Sequence, residues 1–163
     1  MTKFLQAALA SSVLVASVMG ATAARADTAT ADARANILKQ VSVESDGSAL
    51  DFGTIVTGTA ASTVSVSAGG MSCGAGLVCS GTTSAAGFDV TGTAGETVSV
   101  ASDPSVTLTS GTNTMTANIV ASVSTLTLTG GAGSFNVGGL LNVGANQADG
   151  AYEGSFNVTV NYN

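Results

Sequence analysis

The sequence predicts an all-β domain folded as a sandwich, and three observations carry that expectation. Short segments with period-two alternation recur from Asn36 to the last residue, the pattern of strands that bury one face. Gly, Ser and Thr fill the alternate positions and separators while only 9% of residues are charged, which suits hydroxyl-bearing sheet surfaces rather than a charged helical one. Hydrophobic residues make up 45% of the chain but aromatics only 4%, so the core must be thin and built largely from Ala and Val.

The chain opens on Met1, Lys3 and an apolar run from Phe4 to Gly20, then small residues ending Ala24-Arg25-Ala26. This is the layout of a secretory signal, residues 1–26, with cleavage expected after Ala26. The run is rich in Ala and Ser and shorter than the ~20 apolar residues that a membrane span requires. The mature chain is therefore expected to carry no membrane span and to pass through the periplasm to the cell surface or beyond.

Residues 27–37 form an extension ahead of the domain. From Thr28 to Ile37 every odd position is apolar, namely Ala29, Ala31, Ala33, Ala35 and Ile37, and every even one is polar. Such a strand either pairs within its own sheet or is supplied to another chain, because an unpaired strand leaves backbone groups unsatisfied. A loose, Ala- and Thr-rich terminus is the other reading.

The domain occupies residues 38–163. Val64 and Val66, Phe88 and Val90, Val98 and Val100, Val106 and Leu108, and Leu126 and Leu128 each keep one parity apolar and the other polar, as half-buried strands do. Asp46-Gly47, Gly69-Gly70, Ala94-Gly95, Gly130-Gly131 and Gly138-Gly139 are the expected separators, Asp46-Gly47 being the strongest hairpin signal. Pro104 is expected to open a strand or lie on an edge. Val56-Thr57-Gly58-Thr59-Ala60 before Thr63-Val64-Ser65-Val66 is echoed by Val90-Thr91-Gly92-Thr93-Ala94 before Thr97-Val98-Ser99-Val100. Two copies are too few for a solenoid, so the echo reads as one hairpin solution used twice.

Cys73 and Cys79 are the only cysteines, and an even pair in an exported chain is expected to form a disulfide. Redox catalysis favours Cys-X-X-Cys, and a zinc site needs further ligands in a chain without His. The pair reads as a staple on a Gly-rich loop.

Composition also excludes functions. After residue 26 the only basic residues are Arg34 and Lys39, against ten acidic ones, so neither nucleic acid nor an anionic membrane surface is an expected partner. With no His and no recognisable base beside the many hydroxyls, no catalytic residue is assigned and an enzyme is not expected. Glu44, Asp46 and Asp51 fit no EF-hand spacing, so no metal and no cofactor is assigned either. Tyr152 and Tyr162 fall on an apolar strand face, which reads as core rather than as a sugar-binding platform.

That face belongs to the last segment, where Tyr152, Gly154, Phe156, Val158, Val160 and Tyr162 occupy the even positions. Terminal residues normally fray, so a large apolar side chain at the penultimate position implies a partner that holds it. Here the chain resembles chaperone-usher pilus subunits, whose last strand carries alternating apolar residues, a penultimate aromatic as at Tyr162, and a Gly fourteen residues from the end, as at Gly150. With Leu50-Asp51-Phe52-Gly53 and Leu141-Asn142-Val143-Gly144-Ala145-Asn146-Gln147, it is similar to an uncharacterised family of exported bacterial β domains, a domain of unknown function related to pilins and to spore coat protein U.

The resemblance implies an immunoglobulin-like, pilin-type sandwich that is incomplete and is completed by a donor strand. A periplasmic chaperone would engage Gly150, Tyr152, Phe156, Val158, Val160 and Tyr162. At an outer-membrane usher, residues 27–37 of another copy or a related subunit would then replace the chaperone strand, giving a head-to-tail fimbrial fibre. Two features depart from the pattern. The donor face is mostly Ala and buries little area, and Cys73 and Cys79 can close only a local loop where pilins link two early strands. The alternative is a self-complete, monomeric exported sandwich that binds surface polysaccharide or matrix.

Overall fold

A computed structural model describes residues 26–163. The predicted signal sequence, apart from Ala26, lies outside the described residues. The chain divides into two compact units, Met1–Ala35 and Asn36–Asn163. In the first, residues 26–35 are exposed and form neither helix nor strand. Their one ion pair joins Arg34 to Asp32 at 3.2 Å and, being solvent-exposed, adds little stability.

The second unit is all-β, as expected, with no helix among the described residues. Its strands are β1 (Ser42–Ser45), β2 (Thr54–Val56), β3 (Ser62–Ser67), β4 (Gly70–Cys73), β5 (Val78–Ser80), β6 (Ala86–Thr91), β7 (Thr97–Ser102), β8 (Ser105–Ser110), β9 (Asn113–Ala121), β10 (Thr125–Thr127), β11 (Ala132–Val143) and β12 (Val158–Tyr162). The largest antiparallel sheet runs β1-β6-β11-β3-β4, with β9 also on β11 and β8 on β9. A second sheet runs β10-β7-β12, and β2 and β5 form a separate ribbon.

The apolar parities of the alternating segments meet in one core. Val64, Val66, Val90, Phe135, Val137 and Leu141 from the large sheet pack with Val98, Val100 and Val160 from the second and with Leu128 just beyond β10. Val is the commonest member and, among the described residues, only Phe52 and Phe135 are buried aromatics, in keeping with the thin core expected from composition. Phe88 stacks on Phe135 with ring centroids 5.5 Å apart.

Several expected turns form. Gly130 and Gly131 have φ of 68° and 89° in the tight connection closed by Thr129 and Ala132, the backbone that a type I′ hairpin demands of both central residues. Ala68 and Gly69 join β3 to β4, which pair up to Ser67 and Gly70. Pro104 stands just before β8, and its carbonyl accepts the Ile119 amide at 3.0 Å.

Three expectations are corrected by pairing that sequence proximity does not reveal. Asp46-Gly47 is a bulge, not a hairpin. The chain pairs with β6 through Ser42–Ser45, then with Gly87 through Asp46 and Ser48, then with Ser84 through Asp51, so it continues along the same neighbour. Gly138-Gly139 lies inside β11, where pairing passes from β6 to β3; a side chain on Gly138 would strike the Val66 carbonyl. The repeated Val-Thr-Gly-Thr-Ala motif is not a hairpin in either copy, since β6 and β7 belong to different sheets, as do β2 and β3. Both copies are corners, and their glycines are pinched: a Cβ on Gly58 would strike the Gly76 carbonyl, and one on Gly92 would lie 2.5 Å from the Tyr162 hydroxyl.

Candidate functional site: a groove between two open strand edges

The C-terminal segment forms one wall. β12 pairs with β7 from Val158 opposite Ser102 to Tyr162 opposite Val98. The Asp103 amide donates to the Asn157 carbonyl at 3.0 Å and the Asn163 amide to the Thr97 carbonyl at 3.2 Å, so odd-numbered residues bond to β7. By the alternation of an antiparallel ladder, Val158, Val160 and Tyr162 direct their N–H and C=O groups away from β7. Because β12 ends its sheet, that edge is open. The same residues turn their side chains inward: Val160 is buried, and Val158 and Tyr162 pack against the core.

Earlier in this segment Glu153 pairs with Thr109, their amides and carbonyls exchanging bonds of 2.9 and 3.1 Å. Six residues from Glu153 to Val158 face eight from Thr109 back to Ser102, so the opposing strand carries two extra residues around Asp103-Pro104, where Pro104 has no N–H to give. The Asp103 carboxylate holds this step by accepting the Asn157 amide at 2.8 Å and its Nδ2–H at 3.1 Å. Phe156 meets Phe88 edge-on at 6.4 Å.

The facing wall is β1 and its continuation into β2. The Asp46 amide donates to Gly87, so even-numbered residues bond to β6, and Val41, Val43 and Ser45 present backbone groups outward. β1 also ends its sheet, and β2 pairs only with β5. The walls run in opposite directions with no ladder between them.

At one end the walls enclose an open-sided cavity of about 690 Å³, floored by Leu50, Phe52, Leu108, Met115 and Leu141. Asp51, Asp149 and Glu153 stand on its rim, and no Lys or Arg lines it. Gly150 lies on the lip with φ of 151°, and a side chain there would strike the Ser110 hydroxyl. The backbone angle is what demands Gly, since the Ser110 hydroxyl can turn aside. Tyr152 belongs to this lip rather than to β12. Its hydroxyl donates to the Ala148 carbonyl at 2.9 Å and accepts Gln147 Nε2–H at 2.8 Å.

At the other end the walls close. β1 and β12 approach within 8 Å between Cα atoms, less than the ~9.6 Å that two strands keep when a third lies between them. The Tyr162 hydroxyl accepts the Thr93 amide at 2.7 Å and donates to the Lys39 carbonyl at 2.8 Å. The Lys39 amide in turn donates to Thr93 Oγ1 at 2.7 Å.

The structure thus brings Gly150, Tyr152, Phe156, Val158, Val160 and Tyr162 to one wall. Ala29, Ala31, Ala33 and Ala35 are exposed and unpaired, and Ile37 is 90% exposed. Cys73 and Cys79 are bonded, with Cα atoms 6.0 Å apart. The bond does more than close a loop, because Cys73 is in β4 of the large sheet while Cys79, in β5, lies opposite Ile55 in the groove wall. It tethers the β2–β5 ribbon. Sequence reasoning missed Lys39, Thr93 and Met115; the first two act through a backbone carbonyl, an amide and a hydroxyl at distant positions, for which no local signal exists. Among the described residues no group of three or more His, Cys, Asp or Glu side chains is placed to hold a metal ion, and no helix is long and apolar enough to cross a membrane.

The sequence pattern of a domain family described as a domain of unknown function, DUF4402, matches residues 40–162. No curated protein and no solved structure matches the chain.

Proposed function

We propose that this chain, which belongs to the DUF4402 family of domains of unknown function, is an exported, non-enzymatic subunit of a surface fibre. In this reading the fold is an immunoglobulin-like sandwich of the pilin type, left one strand short. A periplasmic chaperone strand first occupies the groove, and at an outer-membrane usher the extension of another subunit replaces it, so that subunits join head to tail. The observation that supports this is the pair of unpaired edges, Val41 to Ser45 and Val158 to Tyr162, whose walls lead on to a cavity with an apolar floor and an acidic rim. A strand entering from the cavity would bury its floor and, once β1 and β12 part from their present approach, satisfy backbone groups on both sides. The disulfide and the leader-like N-terminus suit an exported protein.

A second reading, a self-complete exported monomer that binds surface polysaccharide or matrix, is favoured by the Tyr162 clasp and by the approach of β1 to β12. The two are separated by co-expressing the full chain, or its Tyr162→Ser variant, with a periplasmic chaperone. A one-to-one complex is expected from the full chain and a weakened one from the variant; a free monomer in both cases would overturn the fibre reading.

A further inference from the structure

We infer that the strand filling this groove comes from a different polypeptide, one with bulky alternating apolar side chains, and not from a second copy of this chain. The inference rests on the donor-strand reading and names the partner that reading requires. Ile37 is the one large residue on the odd face of the extension, yet it stands two positions from Lys39, whose carbonyl is tied to Tyr162. Ile37 therefore stays with its own subunit body. What a copy can offer a neighbour is Thr28–Asn36, whose apolar face is Ala29, Ala31, Ala33 and Ala35.

Those four methyl groups, each about the size of a water molecule at about 30 Å³, fill little of a cavity of about 690 Å³. They end at Cβ and leave the half-buried Leu108 and Met115 on the floor uncovered, and a gap of that kind forfeits contact along its whole lining. Charge points the same way. The rim carries Asp51, Asp149 and Glu153 without a basic residue, whereas the extension brings Asp27 and Asp32 against a single Arg34. The fitting partner is an extended segment with large aliphatic or aromatic residues at every second position and no excess of acidic ones.

The test refolds residues 27–163 from urea, disulfide intact, with one of three peptides, so that the groove is open when the strand is offered. The first peptide is Asp27–Ile37 itself. The second carries Ala29→Leu, Ala31→Leu, Ala33→Leu and Ala35→Leu, and the third has the four Leu residues moved to the even positions 28, 30, 32 and 34. The second is expected to be retained one-to-one and to dissociate at least tenfold more slowly than the first, with no such gain for the third. Equal retention of the first and second peptides would overturn the inference and leave the fibre reading standing. Equal retention of the second and third would overturn it by showing indiscriminate apolar binding. Retention of none would remove both the inference and the donor-strand reading.

Discussion

Tyr162 and Lys39, 123 positions apart in sequence, are joined by a 2.8 Å hydrogen bond from the phenol to the backbone carbonyl. The same oxygen accepts the Thr93 amide, so one side chain ties the start of the domain, the corner between β6 and β7, and the last strand. Tyr162→Phe should destabilise the protein by about 1–3 kcal/mol, since it leaves a part-buried N–H without its acceptor. Tyr162→Ala should cost a further ~1–2 kcal/mol for the lost ring. Urea unfolding with an unchanged slope is the measurement, and a Phe variant as stable as the parent would show the clasp to be idle.

Removing the disulfide with Cys73→Ser and Cys79→Ser should cost about 2 kcal/mol, the chain-entropy value for so short a loop. Because the bond tethers the ribbon, amide exchange should quicken at Thr54–Val56 and Val78–Ser80 while β7 and β11 keep their protection. Uniform loss of protection across all strands would contradict the tether.

Gly150→Ala should destabilise by roughly 1–3 kcal/mol through its backbone angle and the encounter with Ser110. Pairing it with Ser110→Gly should recover only part of that loss, because the angle remains unsuitable for a side chain. Full recovery in the thermal midpoint would mean that crowding alone requires Gly there.

Asp103→Ala removes the acceptor of both Asn157 donors and should cost about 1–2 kcal/mol. Asp103→Asn retains a carbonyl oxygen and should cost less. Exchange at the Asn157 and Val158 amides is the local readout. Equal stability of both variants and the parent would show that the ladder alone holds the step in the last strand.

The all-β class, the parities of β3, β6, β7, β8 and β12 and the disulfide were legible because each depends on neighbours two to six residues apart. Period-two alternation places Val64, Val66, Val98 and Val160 on one face whatever their strand pairs with, and these residues are buried. Five of the six candidate residues of the last segment were found the same way, though Tyr152 serves the cavity lip and not the strand; Gly150 entered only through the resemblance to pilus subunits.

What the tertiary structure alone decided is pairing. Asp46-Gly47 is the stronger turn signal of the two, yet it is a bulge while Gly130-Gly131 makes a tight turn, because β6 runs beside the chain on both sides of the first whereas β10 and β11 leave the second for different partners. The Val-Thr-Gly-Thr-Ala motif is a corner for a related reason: β6 and β7 each find better partners in separate sheets than in each other. The open edges of β1 and β12, and the cavity between their walls, follow from which strands lie last in each sheet. Strand order is a property of contacts far apart in the chain, so alternation determined which residues face inward, and only the folded arrangement determined where an edge was left unpaired.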